Sequence, residues 1–105
     1  MGERTENVVN GDLGQTVVGL AAVIHDRREA SPETSYTARL LKGKEDSLLK
    51  KLTEEATEVV MACKDNDHDH IRYEAGDLIY HLLVVLERYG VTTEELAGEL
   101  DARRR

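Results

Sequence analysis

Two groups of carboxylates lie about a helix length apart: Glu54, Glu55 and Glu58 in the run EEATE, then Glu74 and Asp77 in EAGD. At about 3.6 residues per turn, Glu55 and Glu58 project from neighbouring points of one helix, and Glu74 and Asp77 do the same on the next. If those helices pack antiparallel, the four carboxylates converge. Such a cluster repels itself and is costly to bury, so it is tolerated mainly where cations neutralise it. Hard oxygen donors suit Mg2+, with Mn2+ as a substitute. The blander readings are a solvated helix face for Glu54 and Glu55, and ion pairs to Lys50, Lys51 or Arg72. Ion pairing accounts for one or two carboxylates but not four. Glu74 and Asp77 also fall in the most apolar part of the chain, where charge is rarely placed without a partner.

The elements that must position these groups are helices. Leu13, Val17, Leu20, Ala21 and Ile24 recur at helical spacing up to a stop at Ser31-Pro32. A short helical segment follows over about residues 35–41, closed by Lys42-Gly43-Lys44, with Gly43 expected to cap it in a positive-φ conformation. A long helix over about 45–64 carries Leu48, Leu52, Ala56, Val59 and Cys63 on one face, with Glu55 and Glu58 at its border and Glu54 farther out. The polar run from Asp65 to Asp69 makes a turn and caps the next helix, about 70–89, which is apolar nearly all round. That helix needs cover on several sides, from a crowded bundle or from a second copy of the chain. Thr92 and Glu95 form a capping box for a last short helix, whose negative end Arg103 to Arg105 complement. The first twelve residues show no apolar stripe and read as a flexible arm; residues 13–105 read as one all-α domain, a bundle of four to five helices.

The basic and imidazole groups are less telling. His81 is one turn beyond Asp77 and reads as a core histidine hydrogen-bonded to it, although a ligand or base is also open. His68 and His70 lie in the polar turn, where capping and solvation are their simplest roles. Lys50 and Lys51 precede the carboxylates by one to two turns on the same helix, and with Lys42 and Lys44 they are candidates to hold a substrate phosphate. The spacing of His81 from Glu74 and Asp77 is not the Glu-x-x-His of a di-iron bundle.

Composition sets limits on the rest. The 105 residues include no Trp or Phe and four Tyr, a mixture suited to packed helices rather than a sandwich or barrel. A net charge of -7 argues against nucleic acid as a partner, though not against a nucleotide bound through metal. The single cysteine, Cys63, excludes an internal disulfide and a cysteine zinc cage, and its place on the apolar stripe predicts a packed thiol. No run is long and apolar enough for a membrane span and the start is unlike a signal peptide, so the expected location is cytoplasmic.

The runs SYTARLL, LLKKLTEEATEVVMACKD and EAGDLIYHLLVVLERYGV, with a closing EL, resemble the phosphoribosyl-ATP pyrophosphohydrolase family of histidine biosynthesis over roughly residues 13–103. The EExxE and ExxD pair alone resembles only the wider all-α nucleotide pyrophosphohydrolases, MazG-like and dUTPase-like; SYTARLL and DLIYHLLV narrow the match. The resemblance implies Mg2+-dependent hydrolysis of phosphoribosyl-ATP to phosphoribosyl-AMP and pyrophosphate, the second step of the pathway, in a helical assembly completed as a homodimer. It implies metal binding by Glu55, Glu58, Glu74 and Asp77, with Glu54 holding or activating the water. Thr53 stands where relatives often have Gly, and Gly76 where they often have Ala; both leave the ligands intact. A zinc-dependent cyclohydrolase domain, fused to this activity in many organisms, is not expected from this length and cysteine content. Two rival functions are a housecleaning nucleoside triphosphate pyrophosphohydrolase and a non-enzymatic helical dimerisation module.

Overall fold

Four of the five helices begin at a side chain that caps them, which is why their N-termini fall where they do. The computed structural model describes residues 5–104. Helix α1 spans Leu13–Asp26, with Asp12 accepting from the Gln15 backbone N–H at 3.1 Å, and passes into a 3-10 turn over Arg27–Glu29. Helix α2 spans Tyr36–Lys42 and is capped by Ser35, which accepts from the Ala38 N–H at 3.1 Å. Helices α3, Glu45–Lys64, and α4, His68–Arg88, are joined by a three-residue turn, and Asp67 caps α4. Thr92 and Glu95 close the expected capping box on α5, Thr93–Arg103. Each cap is worth about 1 kcal/mol because it satisfies N–H groups that have no partner inside the helix. Among the described residues there is no strand, and no helix is long and apolar enough to cross a membrane.

The short turn folds α3 back along α4 as a helical hairpin, with α1 and α2 packed on α4. The core is Ile24, Leu41, Leu48, Leu83 and Val84, drawn from all four helices. Ion pairs and hydrogen bonds fasten its edges. The Glu87 carboxylate of α4 takes hydrogen bonds from His25, at 2.9 Å, and from Arg28. Burial pushes Glu87 up, but these two partners outweigh it and hold the carboxyl below its ordinary range. Arg88 donates to the carbonyls of Leu40, at 2.9 Å, and Gly43, at 2.8 Å, so α4 holds the C-terminal end of α2 whose carbonyls would otherwise lack partners.

Three expectations are corrected. The inward face of α3 runs through Leu48, Glu55 and Ala62, whereas Ala56 and Cys63 are exposed. The helix carries two apolar stripes, and the one centred on Glu55 faces α4. Cys63 is therefore an exposed thiol rather than a packed one. Gly43 does end α2, but at φ −81 and ψ −163, so it is not there for a left-handed conformation. A Cβ at Gly43 would lie 2.7 Å from the Arg39 carbonyl oxygen, which makes the requirement one of space.

Gly76 is the opposite case, since a Cβ there meets nothing within 4 Å in the middle of α4. Gly76→Ala is expected to raise the melting temperature by about 5 °C, from the ~1 kcal/mol advantage of Ala over Gly inside a helix. Gly43→Ala is expected to lower stability by about 1–3 kcal/mol as the Arg39 carbonyl gives way. Circular dichroism melts of the two variants check both signs; a melting temperature lowered by Gly76→Ala would contradict the open space.

Candidate active site

Three side chains meet at the seam between α3 and α4. Glu55 from α3 and Asp77 and His81 from α4 each bring one potential ligand atom within 4.8 Å of the others. Glu55 is 6% exposed and His81 2%, while Asp77 is half-buried and opens the group to solvent. Helical spacing explains the α4 half: Glu74, Asp77 and His81 recur every three to four residues on the face turned to α3. The α3 half exists because Glu55 occupies a position its neighbours would fill with an apolar residue.

The electrostatics follow from that placement. Burial comes first, then a hydrogen bond with Asp77 and the charge of Asp77, with Glu74 adding and Lys51 opposing; together they push the Glu55 carboxyl up to about 7. Like charges this close repel, so the Glu55 carboxyl keeps its proton to higher pH. On the rim, the Lys51 ammonium lies 3.6 Å from the Glu55 carboxylate. Burial pulls Lys51 down, but Glu55, then Tyr36 and Glu54, outweigh it and leave the ammonium above its ordinary value.

Glu74 is 1% exposed and turns to His70, with 2.9 Å between the His70 Nε2 and the carboxylate. This corrects the reading of His70 as a solvated turn residue: α4 starts at His68, so His70 is inside the helix, four residues before Glu74, and 3% exposed. His81 sends its Nδ1 to the Asp77 backbone oxygen at 2.8 Å rather than to the Asp77 carboxylate, which lies at 4.0 Å. Its Nε2 meets the Tyr36 hydroxyl at 3.0 Å. Burial, reinforced by Tyr80, Asp77 and Glu55 against the opposing Lys51 charge, raises the Tyr36 phenol above its ordinary value, so it keeps its proton. Tyr36 and His70 are the site residues that sequence reasoning passed over. His70 carried a signal in its spacing from Glu74, whereas Tyr36, although inside the SYTARLL run, meets His81 across 45 residues of chain, a contact that spacing does not show.

The other sequence candidates are placed as follows. Glu58 is half-buried one turn along α3, and Glu54 is exposed on the adjacent face. Lys42 donates to the Ala30 carbonyl at 2.7 Å, while Lys44 and Lys50 are exposed. Beside Asp77 a hollow of about 300 Å3 opens between α4 and the N-terminal segment, lined by Thr5, Val8, Arg72, Tyr73, Gly76 and Asp77. A cleft of similar volume between α1, α4 and α5 is lined by none of Glu54, Glu55, Glu58, Glu74 and Asp77.

The donor set fits a hard divalent cation. Both His81 nitrogens are engaged, so the free donors are carboxylate oxygens, and the upward push on the Glu55 carboxyl marks a place where negative charge is costly and a cation would offset it. A carboxylate pair, Glu55 buried and Asp77 half-buried, with a lysine ammonium at its rim and a scaffold of helices among the described residues, defines an all-α protein with an acidic candidate site. Comparison names the family. Residues 17–104 match the family described as phosphoribosyl-ATP pyrophosphohydrolase, and the chain belongs to that family of hydrolases. It is 46% identical over 84 residues to a phosphoribosyl-ATP pyrophosphatase of Nitrosomonas eutropha, covering 80% of this chain and 72% of the relative. With the phosphoribosyl-ATP pyrophosphatase of Methylibium petroleiphilum it shares 47% over 95 residues, 90% of this chain and 78% of the relative. It is also 45% identical over 102 residues to a histidine biosynthesis bifunctional protein of Nostoc, covering 97% of this chain and 47% of that longer protein.

Proposed function

We propose that this chain hydrolyses phosphoribosyl-ATP to phosphoribosyl-AMP and pyrophosphate in the cytoplasm, as the second step of histidine biosynthesis, with Mg2+ or, as a substitute, Mn2+. The observation that carries the reading is the Glu55–Asp77 pair, brought together at the seam inside the stretch that matches the family. Glu55 and Asp77 would hold the cation, with Glu58 and Glu74 completing its surroundings, and a cation held there would offset the charge of triphosphate oxygens and make the phosphorus a better electrophile. Lys51 steadies the departing pyrophosphate, with Lys42, Lys44 and Lys50 as the weaker candidates for the same work. Glu54, exposed beside Lys51, takes a proton from the attacking water. Water attacks the α-β phosphoanhydride in line, and the bond to pyrophosphate breaks as the new P–O bond forms.

A homodimer completes the assembly in this reading. Leu49, Ala56, Val60 and Cys63 recur at helical spacing on the outer face of α3, and Leu49, Val60 and Met61 are exposed to 37%, 58% and 56%. A second copy covers that stripe, which also answers the two-sided apolar pattern of α3. Light scattering on the purified chain checks this, and a monomer at micromolar concentration would count against it.

The test of function is pyrophosphate release from phosphoribosyl-ATP with Mg2+ and with EDTA, beside ATP and a panel of deoxynucleoside triphosphates. Metal-dependent release confined to phosphoribosyl-ATP is expected. Release from the other triphosphates alone would move the same centre to a housecleaning role, and no release from any would overturn the enzymatic reading.

A further inference from the structure

Tyr36 stands on α2, outside both carboxylate motifs, yet its hydroxyl reaches the centre of the site through His81. The Asp77 backbone oxygen can only accept, so the His81 Nδ1 facing it at 2.8 Å carries the hydrogen. In the neutral imidazole Nε2 is then bare, and the Tyr36 hydroxyl at 3.0 Å donates to it. The phenol has one hydrogen and gives it to His81, so its oxygen meets the site as an acceptor. A phosphate oxygen is itself an acceptor and has nothing to offer such a group, whereas water has hydrogens to give.

The phenol is also well held. Its ring stacks on Tyr80 with centroids 6.3 Å apart, and His81 meets Tyr36 and Tyr80 edge-on at 6.0 and 4.9 Å. Tyr80 is in turn hydrogen-bonded to Thr37 of α2. Tyr36 as a whole is 43% exposed, so the residue is not sealed from solvent.

We infer that Tyr36 orients the attacking water by accepting one of its hydrogens, and that His81 is the positioning residue that makes the phenol an acceptor. The inference rests on the hydrolase reading above. The contact moves no proton: the water's other hydrogen is the one lost to the base, while its oxygen bonds to phosphorus and pyrophosphate leaves. Aligning the nucleophile in this way acts on turnover rather than on substrate affinity.

The test uses the full chain and phosphoribosyl-ATP, with steady-state pyrophosphate release for the wild type, Tyr36→Phe, His81→Gln and the double variant. Tyr36→Phe keeps the ring and is expected to lower kcat by about tenfold to a hundredfold with KM changed less than about twofold. His81→Gln is expected to give a similar loss, and the double variant no further loss, because both act through one contact. If the buried His81 variant fails to fold, Tyr36→Phe decides alone. Imidazole 15N NMR supplies a readout apart from activity: His81 should carry its hydrogen on Nδ1, and the Nε2 signal should move in Tyr36→Phe. A merely structural hydroxyl would lower the melting temperature and leave kcat unchanged. An unchanged kcat in Tyr36→Phe beside an active wild type, or a neutral His81 protonated on Nε2, overturns this inference alone; an inactive wild type overturns the hydrolase reading first.

Discussion

Glu55→Gln is expected to abolish most pyrophosphate release while leaving the metal-free fold as stable as before or more so. The side chain is 6% exposed, and at neutral pH its charge is opposed by burial and by Asp77. The amide keeps the shape, removes that charge and still offers Asp77 a hydrogen bond, so the cost of gathering two carboxylates at the seam disappears. Turnover goes the other way. A neutral amide cannot supply the charge that holds the cation against the triphosphate, and a loss on the order of 10^3-fold is expected from removing one such electrostatic contribution. Opposite signs for stability and activity at one residue are the mark of a site that folding tolerates rather than favours. Melts in EDTA and in Mg2+, alongside the release assay, check the pair of outcomes. The variant should lose both turnover and the metal-induced rise in melting temperature. Activity within about tenfold of the wild type would remove Glu55 from the ligand set and leave Asp77 without its partner.

That conflict also explains what the sequence made legible and what it did not. Helix positions followed from spacing and caps: Ser35, Asp67 and the Thr92–Glu95 box start helices where their chemistry predicts. The pairing of EEATE with EAGD across a short turn places Glu55 opposite Asp77, and the two do meet at the seam. The rotation of α3 was misread because a stripe rule assumes that the most apolar face turns inward. Here Leu48 and Ala62 flank a buried Glu55, while Ala56 and Cys63 lie outside, so a buried carboxylate displaced the pattern that would have located the face. His70 was hidden for a related reason: the polar composition of its neighbours disguised the first turn of a helix as a loop. Tyr36 could not be seen from spacing at all, since only the docking of α2 on α4 brings its hydroxyl to His81. Periodicity reports one helix at a time, and contacts between distant segments are decided by which faces finally meet.

The pH dependence of metal binding is the sharpest consequence of the buried pair. Glu55 has its carboxyl pushed up from an ordinary 4.5 to about 7, first by burial and then by Asp77. Between those values the metal-free folded chain holds more protons than the unfolded chain, so its stability falls as pH rises. The contribution is fully present below the unfolded value and lost by about pH 7. It amounts to roughly 3 kcal/mol at 1.36 kcal/mol per unit. A divalent cation reverses the slope. It must displace the Glu55 proton, so its apparent affinity should climb by up to about tenfold per pH unit below 7 and level off above. The stabilisation it gives follows RT ln(1 + [L]/Kd), and at fixed Mg2+ or Mn2+ the rise in melting temperature should therefore be larger at pH 8 than at pH 6. Calorimetric titration in buffers of different ionisation enthalpy counts the proton released near pH 6. Glu55→Gln should release none and flatten the profile, whereas a metal-induced shift of equal size across this range would mean that the cation binds without touching the Glu55–Asp77 pair.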